Sequence, residues 1–128
     1  MSDSLVIIPT FNEKENVEAM IHKIFSLQKH FHILVVDDNS PDGTANIVKS
    51  LQPTYPESLF LLERKGKLGL GTAYIAGFKY GLSKNYDYIF EIDCDFSHDP
   101  EDLIRLYHAC HKGGFDMAVG SRYVTGGR

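Results

Sequence analysis

Two carboxylates one residue apart, Asp93 and Asp95, follow directly on the apolar run Tyr88 to Ile92 and precede a helix start at Asp99-Pro100. Hard oxygen donors at that spacing suit a divalent cation that itself holds phosphate. A second acidic pair, Asp37-Asp38, ends another apolar run, Ile33 to Val36, and Glu13 lies shortly after a third, Leu5 to Pro9. If these runs are parallel strands of one sheet, all five acidic groups share its carboxyl edge, where open α/β sheets bind ligands. Like charges gathered there repel unless a cation or hydrogen-bond donors balance them. The chemistry so implied is binding of a nucleotide diphosphate with its metal.

Periodicity supplies the elements that would hold these groups. Leu5 to Pro9 reads as a buried strand, and Asn16 to Gln28 sets Val17, Met20, Ile21, Ile24 and Phe25 on one helical face. Ile33 to Val36 is a second strand, followed by the turn-rich Asp37 to Gly43 and a helix through Ala45, Ile47, Val48 and Leu51, closed by Pro53. Leu59 to Leu62 is a third. The glycine-rich loop Lys65 to Gly71 then leads into a helix containing Ala73, Ala76, Phe78 and Leu82. Tyr88 to Ile92 is the fourth strand; Pro100 suits the first turn of a helix through Leu103, Ile104 and Leu106, and Met117 to Val119 begins a fifth strand. Alternation of this kind predicts a mostly parallel sheet with helices on both faces, joined by right-handed crossovers.

Length and composition set the bounds. The chain has 128 residues, enough for one domain, and a formal net charge of −4, which argues against a general nucleic-acid binder. Arg64, Lys65 and Lys67 form a local basic cluster able to face phosphate. The two cysteines, Cys94 and Cys110, have neither disulfide-framework nor zinc-ligand spacing and fit a reducing cytoplasm. No apolar stretch nears the roughly 20 residues that span a bilayer, and the amino terminus carries no signal peptide. His108 and His111 share a predicted helix face without a further ligand nearby, so solvent exposure explains them; His98, beside the acidic pair, is harder to set aside. Each acidic motif also has a plain structural reading: Asp37 to Ser40 as a self-bonding turn, Asp93 and Asp95 as helix-capping acids, although Asp99 is better placed to cap.

Taken in order, PTFNEKEN (9–16), VVDDNSPDGT (35–44), KLGLGTAYIAG (67–77), DCDFSHDPE (93–101) and GSRYVTGG (120–127) resemble the family-2 glycosyltransferases of the GT-A fold, and within them the dolichol-phosphate and polyprenol-phosphate mannose synthases. The resemblance implies one GT-A sugar-nucleotide-binding domain over residues 1–128, the amino-terminal portion of that family's catalytic domain, ending before the family's further sheet and helices. It implies that Pro9, Phe11 and Glu13 surround the nucleotide base and ribose, with Phe11 in place of the family's usual Tyr. Val36 and Asp38 would border the nucleoside, Asp38 by charge-assisted hydrogen bonding, with Asp37 supporting the loop. Asp93, the main chain at Cys94, and Asp95 would surround the sugar nucleotide. Asp95 would ligate Mg²⁺ or Mn²⁺, assisted by Ser97, which stands where some relatives have Gln. Arg122 would contact phosphate.

The activity so implied is inverting transfer of mannose from GDP-mannose to a polyprenyl monophosphate at the cytoplasmic face of a membrane, with Asp95 and Arg122 acting electrostatically. No general base is assigned, because the acceptor phosphate is itself a nucleophile at neutral pH. Other readings are a family-2 transferase using UDP-glucose or a similar donor, and a sugar-nucleotide module without catalysis. ILVVDDNS (33–40) is also similar to the acidic start of a phospho-receiver domain, but there the acidic pair ends the first strand, whereas here a complete β-α unit precedes it. DCDFS (93–97) likewise resembles the two-aspartate loop of aspartyl-phosphate phosphatases, which normally follows the first strand.

Overall fold

The computed structural model describes residues 2–65, 70–97, 99–113 and 117–119. Lys67, His98 and Arg122 lie outside the described residues. Nine elements alternate along the chain: β1 (Ser4–Thr10), α1 (Val17–Phe25), β2 (His32–Asp37), α2 (Thr44–Leu51), β3 (Leu59–Glu63), α3 (Leu70–Ser83), β4 (Tyr88–Glu91), α4 (Asp102–Gly113) and β5 (Met117–Val119). All neighbouring strands pair in parallel, in the order β3-β2-β1-β4-β5. The sequence steps outward from β1 to β3, then returns through α3 to place β4 on the other side of β1. The carboxyl ends of β1 and β4 therefore flank the point where strand order reverses, the crevice that serves ligands in such sheets.

The strands are apolar because both sheet faces are covered. Leu5, Val6, Ile7 and Ile8 of β1 and Ile33 to Val36 of β2 are all fully buried, as continuous runs rather than alternating ones. One face packs against α1, α2 and α4 through Val17, Met20, Ile24, Val48, Leu103 and Leu106; the other packs against α3 through Ala73, Tyr74 and Phe78. Helix α3 lies close on its face. A Cβ built on Gly77 would come within 2.7 Å of Ile7 Cδ1 and Cγ2, and one on Gly81 within 2.7 Å of Ile89 Cδ1. Glycine at these two points lets the helix backbone settle onto β1 and β4.

Differences from the predicted boundaries are small and local. The predicted first helix runs to Gln28, but α1 ends at Phe25, where the Ser26 amide bonds back to the carbonyls of His22 and Lys23 and a tightened turn follows. Asp99 caps the start of α4: its Oδ1 accepts from the Glu101 amide at 2.9 Å. His108 lies exposed on α4, as a solvated helix face requires. Cys94 and Cys110 are buried free thiols, and burial pushes the Cys94 thiol far up, which keeps it protonated and inert.

Candidate functional site

The carboxyl ends of β1, β2 and β4 bring Glu13, Asp37, Asp38, Asp93 and Asp95 to one edge, but they do different work. Asp37 is fully buried. Its Oδ1 accepts from Thr10 Oγ1 at 2.7 Å and from Ser40 Oγ at 2.6 Å, and its Oδ2 accepts from the Ser40 amide at 2.9 Å. It ties the end of β1 to the loop after β2 and supports that loop, as expected. Asn39, with φ 58°, makes the left-handed turn that brings Ser40 back to Asp37.

That loop is laced to the one after β1. The amides of Asn12, Glu13 and Lys14 donate to Ser40 Oγ (2.8 Å), Thr44 Oγ1 (3.0 Å) and Asp42 Oδ2 (3.2 Å) respectively. Asp42 Oδ1 also accepts from the amide and the hydroxyl of Thr44. Burial alone would raise the Asp42 carboxyl, but these Thr44 and Lys14 donors hold it below the ordinary range. Ser40, Asp42 and Thr44 belong to a motif legible in the sequence, yet their role as a clasp between two loops depends on β1 and β2 being neighbours.

Asp38 is held by Arg64. Arg64 Nε donates to Oδ1 at 2.6 Å and Nη2 to Oδ2 at 2.9 Å, a bidentate fork between side chains only 12% and 8% exposed. Arg64 Nη1 continues to Thr72 Oγ1 at 3.0 Å, so the fork also reaches the first turn of α3. The basic cluster thus spends its arginine on an aspartate; its guanidinium is committed within the fold. Val36, expected beside a nucleoside, is fully buried in the core under α3, so only its main chain reaches the edge. Pro9, its partner in the β1 and β2 register, is half-buried, as is Phe11.

Asp93 and Asp95 diverge in the same way. Asp93 is half-buried, and its Oδ1 accepts from the Tyr74 hydroxyl at 2.8 Å. Asp95 is exposed, with Oδ1 accepting from the Ser97 amide at 3.0 Å. Between them the Cys94 side chain turns into the core, leaving its main chain toward the edge. Phe96 adopts φ 59°, a left-handed conformation that a bulky side chain rarely takes. It lies 40% exposed between Asp95 and Ser97. Glu13 sits close enough to feel both acids: burial pushes its carboxyl up, Asn16 pulls it back, and Asp95, Asp42 and Asp93 add to the rise.

Among the described residues, no three His, Cys, Asp or Glu side chains gather as a protein-only metal site. Asp95, exposed beside Glu13 and Asp93, instead fits a cation that takes one or two protein oxygens and draws its other ligands from phosphate and water, the habit of Mg²⁺ and similar ions. The side chain of Ser97 is exposed next to it. A separate cavity of about 530 Å³, lined by His32, Phe60, Tyr80, Lys84 and Tyr86, opens at the opposite, amino end of the strands. It shares none of these acids.

Two residues of this edge had no advance role. Tyr74 lies in the quoted KLGLGTAY stretch but nothing in its spacing points to Asp93. Glu91, inside the β4 run, is 7% exposed, and burial, with Asp93 nearby, pushes its carboxyl up to about 7.

The family model for glycosyl transferase family 2 matches residues 5–128. A polyprenol monophosphomannose synthase of Mycolicibacterium smegmatis is 47% identical over 97% of this chain and 46% of its own length. An undecaprenyl-phosphate mannosyltransferase of Micrococcus luteus is 44% identical, over 97% of this chain and 50% of its own. A dolichol-phosphate mannosyltransferase of Pyrococcus furiosus is 40% identical, over 96% and 34%. The chain thus spans half or less of the length of these curated relatives. Among solved structures, a mannosyltransferase of Pyrobaculum calidifontis in complex with GDP-Man and Mn²⁺ superposes with a TM-score of 0.58 at 28% identity, covering 61% of this chain and 24% of that one. TarS of S. aureus, in complex with UDP, superposes with a TM-score of 0.69 at 21% identity, over 88% and 32%, a likeness of fold alone.

Proposed function

This chain belongs to glycosyl transferase family 2, and from that premise we propose that it forms the sugar-nucleotide-binding part of a mannosyltransferase that moves mannose from GDP-mannose to a polyprenyl monophosphate. The observation that carries this reading is the division of labour at the strand ends. Asp37 is bound into the scaffold and Asp38 is fixed by Arg64, while Asp95 stands exposed after β4, near enough with Asp93 to raise the Glu13 carboxyl after β1. A site with surplus negative charge and few protein ligands suits a diphosphate that arrives with its metal. The identity to polyprenyl-phosphate and dolichol-phosphate mannosyltransferases supports the sugar and the acceptor class. The Pyrobaculum structure supports GDP-mannose and a divalent metal.

In this reading the nucleoside lies over Pro9, Phe11 and Glu13 and along the main chain at Val36, with Asp38 presented in a fixed orientation by Arg64. Asp93 and the Cys94 main chain meet the sugar nucleotide, and Asp95, with Ser97, holds Mg²⁺ or Mn²⁺. When bound, the cation supplies Lewis-acid stabilisation of charge on the departing diphosphate. Arg122 adds a fixed positive charge against phosphate. An acceptor phosphate oxygen attacks the anomeric carbon as its bond to GDP breaks, with inversion, and GDP leaves with the electron pair. No side chain need take a proton, because the acceptor attacks as its anion. No helix among the described residues is long and apolar enough to cross a membrane; in this reading it is the lipid acceptor that brings this part peripherally to the cytoplasmic membrane face.

Calorimetric titration with GDP, UDP and GDP-mannose, with and without Mn²⁺, tests it. GDP and GDP-mannose bind in preference to UDP, and more tightly with metal. Metal-aided preference for UDP would point to a different sugar transfer. Labelling of one Asp by a small phosphodonor, without nucleotide binding, would point to a receiver domain.

A further inference from the structure

We propose that Tyr74 is a positioning residue of the donor site, acting through Asp93; this rests on the donor-site reading above. The Tyr74 hydroxyl donates to Asp93 Oδ1 at 2.8 Å, which anchors one carboxylate oxygen and leaves Oδ2 as the oxygen presented to a donor hydroxyl. The anchor is rigid at both ends. The Tyr74 ring packs against the buried sheet face under α3, with Leu5, Ile7, Leu34 and Val36 in its core, and Gly77, one turn further along α3, sets the helix so close to Ile7 that even a methyl would collide at 2.7 Å. Asp93 follows directly on the β4 run, whose backbone is fixed by pairing with β1. A single bond between a packed helix and a strand end removes the rotation that would otherwise leave Asp93 free to swing.

Packing alone does not call for that hydroxyl. A phenylalanine would fill the same space, and the Tyr74 hydroxyl donates to a carboxylate of the site. The same opening stretch of α3 carries Thr72, which accepts from Arg64 while Arg64 grips Asp38. One short segment of helix thereby reaches the acids at the ends of both β2 and β4. Pre-orientation of a group that meets ligand directly is the usual task of such supporting bonds, and losing one weakens binding by about tenfold.

The test compares wild type, Tyr74→Phe, Tyr80→Phe, Asp93→Ala and the Tyr74→Phe/Asp93→Ala pair of this chain. GDP affinity is measured in Mn²⁺ by calorimetry, and by NMR line broadening at millimolar GDP where binding is weak; thermal unfolding is recorded for each. Tyr74→Phe binds GDP about tenfold more weakly with its unfolding midpoint unchanged. Tyr80→Phe, at the far end of the same helix, binds as wild type, and Tyr74→Phe adds no loss on top of Asp93→Ala. Equal affinity of wild type and Tyr74→Phe overturns the proposal, as does an additive loss in the paired variant. A lowered unfolding midpoint for Tyr74→Phe also overturns it, since the hydroxyl would then serve the fold. Absence of GDP binding by the wild type overturns the donor-site reading itself and the proposal with it.

Discussion

Arg64 holds both oxygens of Asp38, with Nε to Oδ1 at 2.6 Å and Nη2 to Oδ2 at 2.9 Å, across the gap between the ends of β3 and β2. Both side chains are largely buried, so the pair matters most when half of it is removed. Arg64→Ala leaves a shielded carboxylate without its fork and lowers unfolding free energy by about 3 kcal/mol, the low end for breaking a buried pair. Removing Asp38 as well restores part of that loss. Urea denaturation of the two single variants and the double variant measures the non-additivity, and strict additivity would show that the fork carries no coupling.

Asp37 is expected to govern folding rather than chemistry. Three donors, Thr10 Oγ1, Ser40 Oγ and the Ser40 amide, converge on its fully buried carboxylate. Asp37→Ala strands them and costs about 3 kcal/mol by urea denaturation. At temperatures where the variant stays folded, GDP affinity in Mn²⁺ falls by less than it does for Asp95→Ala. A folded, fully stable Asp37→Ala that has lost nucleotide binding would reverse this assignment.

Glu91 gives the protein a pH dependence of definite sign. In the unfolded chain its proton leaves near the ordinary 4.5; in the folded one it stays until about 7, because burial and Asp93 disfavour the charge. Between those values the folded state binds more protons, so this group's contribution to stability is complete below about pH 4.5 and is lost as pH rises to about 7. The full span corresponds to about 3 kcal/mol. Glu91→Gln removes the decline, so the stability difference between variant and wild type grows across pH 4.5 to 7 and then levels off. Urea denaturation at half-unit steps of pH tests this, and a constant difference would refute it.

The strands were legible because parallel strands buried on both faces are written as unbroken apolar runs, as Leu5 to Ile8 and Ile33 to Val36 show. From spacing and periodicity the acidic groups were legible as a set; individual roles, such as Asp37 supporting its loop, came only from the family resemblance. Nothing local distinguishes Asp37 from Asp38: both follow the same run, and successive residues of a strand face opposite ways. Which one is locked depends on Thr10, one strand away, and which one is gripped depends on Arg64 beyond β3. Tyr74 was hidden for the same reason. Its bond to Asp93 depends on α3 lying close against Ile7, an approach that Gly77 permits. Glu91 reads locally as a polar interruption of a strand, and its raised proton affinity comes from the packing around it and from Asp93.

Asp95 separates the catalytic reading from a merely structural one most directly. It is exposed, and its Oδ1 accepts from the Ser97 amide in a short-range turn. Asp95→Ala therefore changes unfolding free energy by about 1 kcal/mol or less, as expected for a surface polar contact. Its effect falls on the metal: the strengthening of GDP binding by Mn²⁺ disappears, while metal-free GDP binding holds or improves slightly because one negative charge near the diphosphate is gone. Glu13 responds too, since Asp95 is one of the charges that raise its carboxyl; in the variant Glu13 titrates lower, visible as a shift of its side-chain NMR resonance with pH. Mn²⁺-dependent GDP binding that survives intact in Asp95→Ala would move the cation elsewhere on the edge. A Glu13 resonance that titrates unchanged would separate these two acids in space.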